Sequence, residues 1–190
     1  MITLYHGSNC DVTKPIPMKG RRGTDFGQGF YLTPDMDSAR SMASLVTRRQ
    51  GDGIKTISVY EFDLDAASVA GMAIRRFESM DADWMSFVLA NRCFDRSAPD
   101  HNIDKLYDVV IGFIADDKIR NMIRLYRSGM MKQDDVLKAM QEAPWRVMQY
   151  SFHTPRSTRF LTLKEVWHEQ CTADSPGWSD IRSCGMCRSL

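Results

Sequence analysis

Nothing in this chain approaches eighteen consecutive apolar residues, and no basic segment followed by an apolar one opens it, so neither a membrane span nor a secretory leader is expected. A surplus of charge is missing as well: 25 Lys and Arg face 24 Asp and Glu. Such a balance makes no global field to recruit nucleic acid or an anionic membrane, and leaves Arg21-Arg22 and Arg48-Arg49 as local anion-site candidates. There is no Gly-x-Gly-x-x-Gly turn between a strand and a helix with an acid about twenty positions on, which argues against a Rossmann dinucleotide site. Internal repeats and low-complexity stretches are also lacking. Five Cys without a leader point to reduced thiols or a metal before disulfides. The expectation is a cytoplasmic protein, and 190 residues suit one well-buried domain with a short tail.

What is present reads as short strands separated by helices of unequal length. Ile2 to Tyr5 predicts a strand ending at His6, and Lys14 to Gly23, with two Pro and two Gly, predicts a loop overhanging the site. Gly29 to Thr33 predicts a second strand, followed by a helix with Ala39, Met42, Ala43 and Val46 as its apolar stripe. Ser38 falls in the first turn of that helix, where a cap and a ligand contact are both open readings. Thr56 to Leu64 alternates as a strand, Met80 to Phe94 has helical spacing, and Tyr107 to Ile114 has the apolar, β-branched run of a buried strand. Asp116 is placed to cap a helix striped by Ile119, Met122, Ile123 and Tyr126, which Gly129 can end. A shorter helix from Gln133 to Glu142 precedes strands over Arg146 to Thr154 and Arg159 to Trp167.

Two segments carry the chemistry. Tyr5-His6-Gly7-Ser8 and, about twenty residues later, Gly27-Gln28-Gly29-Phe30-Tyr31-Leu32-Thr33 each run from apolar strand into backbone left open by small residues. A flat ligand could lie there against main-chain groups with a His and a Tyr beside it. Further on come Ala115-Asp116-Asp117 after a buried strand, and a strand led by Gln149.

This set, His6-Gly7-Ser8, Asp25 to Thr33, Asp108 to Asp117 and Gln149 to Thr154, resembles the ADP-ribosyltransferase superfamily, in its diphtheria toxin and poly(ADP-ribose) polymerase branch. It is most similar to a small bacterial family within that branch, and the resemblance spans roughly residues 1 to 166. It implies an α+β fold, a split β-sandwich of two small sheets with flanking helices, occupying residues 1–167. NAD is then the substrate, bound by His6, Gly7, Ser8, Gly29, Tyr31 and Ser38. His6 is implied to hydrogen-bond a ribose hydroxyl, Gly7 to meet the carboxamide through its main chain, and Tyr31 to flank the nicotinamide. The position of the polymerases' second stacking Tyr is Ser41 here, with Met42 next to it on the helix stripe.

Where the transferring enzymes carry a Glu, this chain has Gln149, which with His6 and Tyr31 completes the implied catalytic set. Gln keeps a hydrogen bond and loses the charge that faces the oxocarbenium-like state, a loss on the order of 10²-fold or more. Chain elongation is therefore not expected, while transfer of a single unit remains open if Asp25, Asp116 or Asp117 assists. The implied protein is a mono-ADP-ribosyltransferase acting on a protein or nucleic acid. Such families serve as toxins or defence effectors, with a neutralising antitoxin as partner. An NAD or ADP-ribose binding module, or an NAD glycohydrolase, is the alternative.

A separate signal lies in residues 168–190. His168-x-x-Cys171 and Cys184-x-x-Cys187 have the pairing of a structural tetrahedral zinc site. A flexible tail with free thiols, and a disulfide, remain open readings of the same residues, and Cys10 and Cys93 have no sequence partner.

Overall fold

The computed structural model describes residues 1–141, 147–172 and 175–180. In chain order the elements are β1 (Ile2–Ser8), β2 (Phe30–Leu32), α1 (Met36–Gln50), β3 (Thr56–Phe62), α2 (Leu64–Val69), β4 (Ile74–Arg76), α3 (Ala82–Cys93), β5 (Val109–Phe113), α4 (Asp117–Arg127), α5 (Gln133–Gln141), β6 (Met148–Phe152), β7 (Leu161–Thr172) and β8 (Ser175–Asp180), with 3-10 turns at Pro17–Lys19 and Ser157–Phe160. The fold is α+β with two four-stranded sheets, ordered β1-β3-β7-β8 and β2-β6-β5-β4. Two compact units divide the chain: the first takes Met1–Pro15, Leu32–Ala66 and the residues from Arg159 onward, the second Ile16–Tyr31 and Ala67–Thr158.

The first unit is an antiparallel sheet with α1 on one face. Residues alternate between faces along a strand, so Ile57 and Val59 of β3 join Ala39 of α1 in one buried cluster, with Tyr5, Met36 and Trp167 packed against it. Contact is close because Gly7 has no side chain: a Cβ there would lie 2.0 Å from the Ala39 carbonyl oxygen and 2.7 Å from the Ala43 nitrogen. Ala39 and Ala43 are buried, whereas Met42 is 48% exposed, so the helix presents its small residues to the sheet and turns Met42 outward from the expected stripe. Asp35, not Ser38, caps α1; its carboxylate accepts from Ser38 N at 2.8 Å, and Gly51 at φ +77° closes the helix. β7 runs past Trp167 to Thr172 and pairs with β8, so the expected boundary between domain and tail falls inside a strand.

In the second unit β5 pairs antiparallel with β6 and parallel with β4. Its Val109, Val110 and Ile111 are fully buried, as a central strand covered on both faces requires. Phe26, Phe77, Trp84, Phe87, Ile119 and Met140 fill the core around it. Asp81 caps α3 by accepting from Trp84 N at 2.9 Å, and Asp116 caps α4 by accepting from Ile119 N at 2.8 Å. The stripe of α4 is as expected, with Ile119 and Ile123 buried and Met122 and Tyr126 packed beside them. Two elements of this part of the chain, α2 and β4, have no counterpart in the sequence reading.

Candidate functional site

Tyr31 leaves β2 with its hydroxyl held in the turn that precedes it. The phenol donates to the Gly27 carbonyl at 2.6 Å and accepts from Phe26 N at 3.1 Å, with the Thr24 hydroxyl 2.9 Å away. That turn needs Gly27, whose φ is +90°. Burial raises the phenol's pKa, so the hydroxyl stays protonated and the turn holds a neutral donor. Anchored at its tip, Tyr31 is left to offer ring and not hydroxyl to a ligand.

The same turn contains Asp25, the centre of a buried network. Its Oδ1 accepts from Arg92 Nε at 2.7 Å and from Arg92 Nη2, while Oδ2 accepts from Ala115 N at 2.9 Å and from Gln149 Nε2 at 3.0 Å. Gln149 Nε2 also reaches the Phe113 carbonyl at 3.4 Å. Both partners accept only, so the amide nitrogen must face them and Oε1 must point the other way. Four hydrogen bonds occupy Asp25. Of the other acids expected to assist, Asp116 caps α4 and Asp117 pairs with Arg120.

His153, which the sequence reading passed over, completes this region. It is fully buried just past β6, with Nδ1 3.0 Å from the Gln28 carbonyl and Nε2 2.8 Å from Ser151 Oγ. Burial lowers its pKa to about 4, so near neutral pH it is the uncharged tautomer with the proton on Nδ1, facing the carbonyl. Its ring meets Tyr31 edge-on at 6.2 Å and packs so close to Gly29 that a Cβ there would lie 2.7 Å from Nδ1. The signal was available: Gln149, Ser151 and His153 are polar residues at i, i+2 and i+4, one face of a strand.

Gly29, Tyr31 and Gln149 therefore belong to the second unit, and His6, Gly7, Ser8 and Ser38 to the first. His6 is half-buried on β1 opposite Ser58 of β3. Ser58 Oγ accepts from Val12 N at 3.3 Å and the Tyr60 hydroxyl donates to the Val12 carbonyl, so the chain after β1 is pinned across β3. Ser8 is buried with its Oγ 3.8 Å from Cys10 Sγ. Next to this segment, His168 Nε2 lies 2.6 Å from Asp11 Oδ1. Cys184, Cys187 and the side chain of Cys171 lie outside the described residues, and among those described no three His, Cys, Asp or Glu side chains are placed to hold a metal. No described helix is long and apolar enough to cross a membrane.

Residues 2–163 match the model of a family described as "Protein of unknown function (DUF3990)". The chain belongs to this family. No curated protein and no solved structure matches it. The DUF3990 match takes in β1, the Thr24–Tyr31 segment and β6, and ends within β7, leaving His168 and the three C-terminal cysteines beyond it.

Proposed function

We propose that this DUF3990 protein is an NAD-dependent mono-ADP-ribosyltransferase acting on a macromolecule in the cytoplasm. One observation carries the reading. Tyr31 and Gln149, which come from two separate motifs of the resemblance, are tied to one four-residue turn, Tyr31 through Gly27 and Phe26 and Gln149 through Asp25. Residues 118 positions apart are thereby set as a pair, as a shared substrate requires.

In the reaction, the bond from the nicotinamide nitrogen to ribose C1′ breaks with both electrons leaving on the nitrogen, and an acceptor nucleophile forms the new bond to C1′. Tyr31 supplies an aromatic face for the nicotinamide; the roles of His6 toward the ribose and of the Gly7 main chain toward the carboxamide rest on the resemblance alone. Gln149 offers Oε1 toward the sugar without a formal charge. A toxin or defence role, with an antitoxin as partner, follows from the resemblance alone.

A second reading, an NAD-binding module or an NAD glycohydrolase, is favoured by the Asp25 network: a neutral amide and a fully hydrogen-bonded carboxylate stand where a transferring enzyme uses a Glu. The two separate on incubating the protein with NAD labelled at its adenylate phosphate, together with protein, RNA or DNA in separate tubes and a His6→Ala control. Label entering one pool, and lost in the control, supports transfer. Free ADP-ribose without transfer supports hydrolysis, and NAD that binds but stays intact supports the module.

A further inference from the structure

Between Asp11 and Asp25 lie Lys14, Lys19, Arg21 and Arg22 and no acid, a cation-rich run like the one from Lys118 to Lys132 on and past α4. Taking these four from the 25 Lys and Arg leaves 21 against 24 acids, so the rest of the chain is slightly acidic. Lys19, Arg21 and Arg22 are exposed and make no ion pair among the described residues. Cations spread this way lose no internal partner when they meet phosphate.

The segment is also rigidly built. Gln28 Nε2 donates to the carbonyls of Met18 at 2.8 Å and Gly20 at 2.9 Å, and Gly20 lies so close to the Gly29 carbonyl oxygen that a Cβ would sit 2.0 Å from it. Lys105 Nζ touches Met18 Sδ, adding a cation from a second loop. At the other end, the Phe94 ring lies 3.8 Å from where a Gly23 side chain would begin. Phe94 closes α3 in the left-handed region at φ 56°, a conformation unfavourable for a bulky residue, and the residue is 51% exposed. An open aromatic ring against Gly23, the residue that follows Arg21-Arg22 in the chain, suits a stacked base.

We infer that the Met18–Gly23 segment, with Phe94 and Lys105, is a docking surface for single-stranded nucleic acid, Lys19, Arg21 and Arg22 meeting phosphates and Phe94 stacking a base. An acidic protein would satisfy the cations but gives no use to an exposed ring held against a glycine. The competing basic run, Lys118 to Lys132, holds part of its charge in local contacts, Arg120 pairing with Asp117 and Arg124 donating to Asn121, and has no exposed aromatic residue within it. Docking stands on these observations alone; that nucleic acid is the acceptor rests in addition on the transferase reading.

The test is fluorescence anisotropy of labelled single-stranded DNA and RNA of about 12 nucleotides, read across a salt series without NAD. Arg21→Gln with Arg22→Gln is expected to weaken binding at least 10-fold and to lower the slope of log affinity against log salt by about 1.4, two phosphate contacts at about 0.7 each. Phe94→Leu is expected to weaken binding about 5-fold or more with the slope unchanged. Arg124→Gln with Arg127→Gln on α4 should bind like the parent. Melting curves establish that each variant is folded; should Phe94→Leu fail there, the arginine pair and its salt slope still decide. Absence of binding at low salt, equal binding by the arginine variant, or preference for anionic vesicles or a poly-glutamate peptide over the oligonucleotides would overturn the assignment. Because NAD is absent, failure here leaves the transferase reading standing, and loss of transfer in His6→Ala leaves docking standing.

Discussion

The two ends of β5 are built alike and do different things. Just before the strand, Asp108 accepts from Arg156 Nε at 2.7 Å, Thr154 Oγ1 at 2.6 Å and Ala73 N at 2.9 Å; just after it, Ala115 N donates to Asp25, which also takes Arg92 and Gln149. Each end is a buried aspartate with an arginine fork, one backbone N–H and one side chain from β6 or the residues just past it. The arginines differ: the side chain of Arg156 is 54% exposed and that of Arg92 24%. Water can solvate Arg156 if its partner goes, while Arg92 would be left largely buried. The Asp108 end ties the fold together, and the Asp25 end ties the fold and both candidate residues at once.

The largest expected effect follows from that contrast. Asp25→Ala strands a mostly buried guanidinium, an N–H and an amide, and is expected to cost about 3–5 kcal/mol. Asp108→Ala leaves one buried N–H and a hydroxyl without partners but a guanidinium that reaches water, and should cost about 1–3 kcal/mol. Urea unfolding of both variants measures the difference; equal losses would break the comparison. On the proposed function, NAD affinity sharpens it, because Asp25→Ala should also release Gln149 and loosen the turn that holds Tyr31, whereas Asp108→Ala should spare affinity at temperatures where it is folded.

Acid should reach the Asp108 end first. His153 N donates to the Asp108 carbonyl at 2.8 Å, and the neutral imidazole has its pKa lowered by burial to about 4 from an ordinary 6.5. Between these values the unfolded chain binds a proton that the folded chain does not. Stability is therefore full above about pH 6.5 and falls progressively toward pH 4, by about 3 kcal/mol at most. For Asp108, burial pushes the carboxyl up, but hydrogen bonds from Arg156, Thr154 and Ala73 outweigh it and hold the pKa below the usual carboxylate range. Its contribution is lost only at lower pH. A His153→Gln variant should flatten the upper window and leave the lower one in place; urea midpoints between pH 4 and 7 that match the parent would remove His153 from the account.

Legibility followed the range of the interactions. Strands β3 and β5 and helices α3 and α4 announced themselves because period and cap are local properties, and Asp116 caps α4 as read. β4 is three residues long and α2 six, too short for either period to register. The motif residues could be named, but not the network binding Asp25 to Arg92, Ala115 and Gln149, which lie 67, 90 and 124 positions away. No local pattern encodes such contacts. Gly7 teaches the reverse lesson: its lack of a side chain, taken as room for a ligand, is accounted for by the backbone of α1. Small residues signal close approach without saying of what.

The smallest effect is the most informative about chemistry. Gln149→Glu would restore the acid found in transferring enzymes, and an isolated view of the motif expects activity to rise. The network argues otherwise, since the new carboxylate would face Asp25 Oδ2, now 3.0 Å from the amide nitrogen, and the Phe113 carbonyl, both acceptors. Two carboxyls facing each other disfavour double ionisation, and the variant should lose about 1–2 kcal/mol that acidification partly returns. Transfer should not increase. Adding Asp25→Asn removes the like charge and leaves Arg92 to face the new carboxylate, so the double variant should be more stable than the two single losses add up to. A double-mutant cycle by urea unfolding reads that coupling. If Gln149→Glu alone is stable and raises transfer, the amide faces away from Asp25, and the β6 end of the network is not what sets the residue at this position.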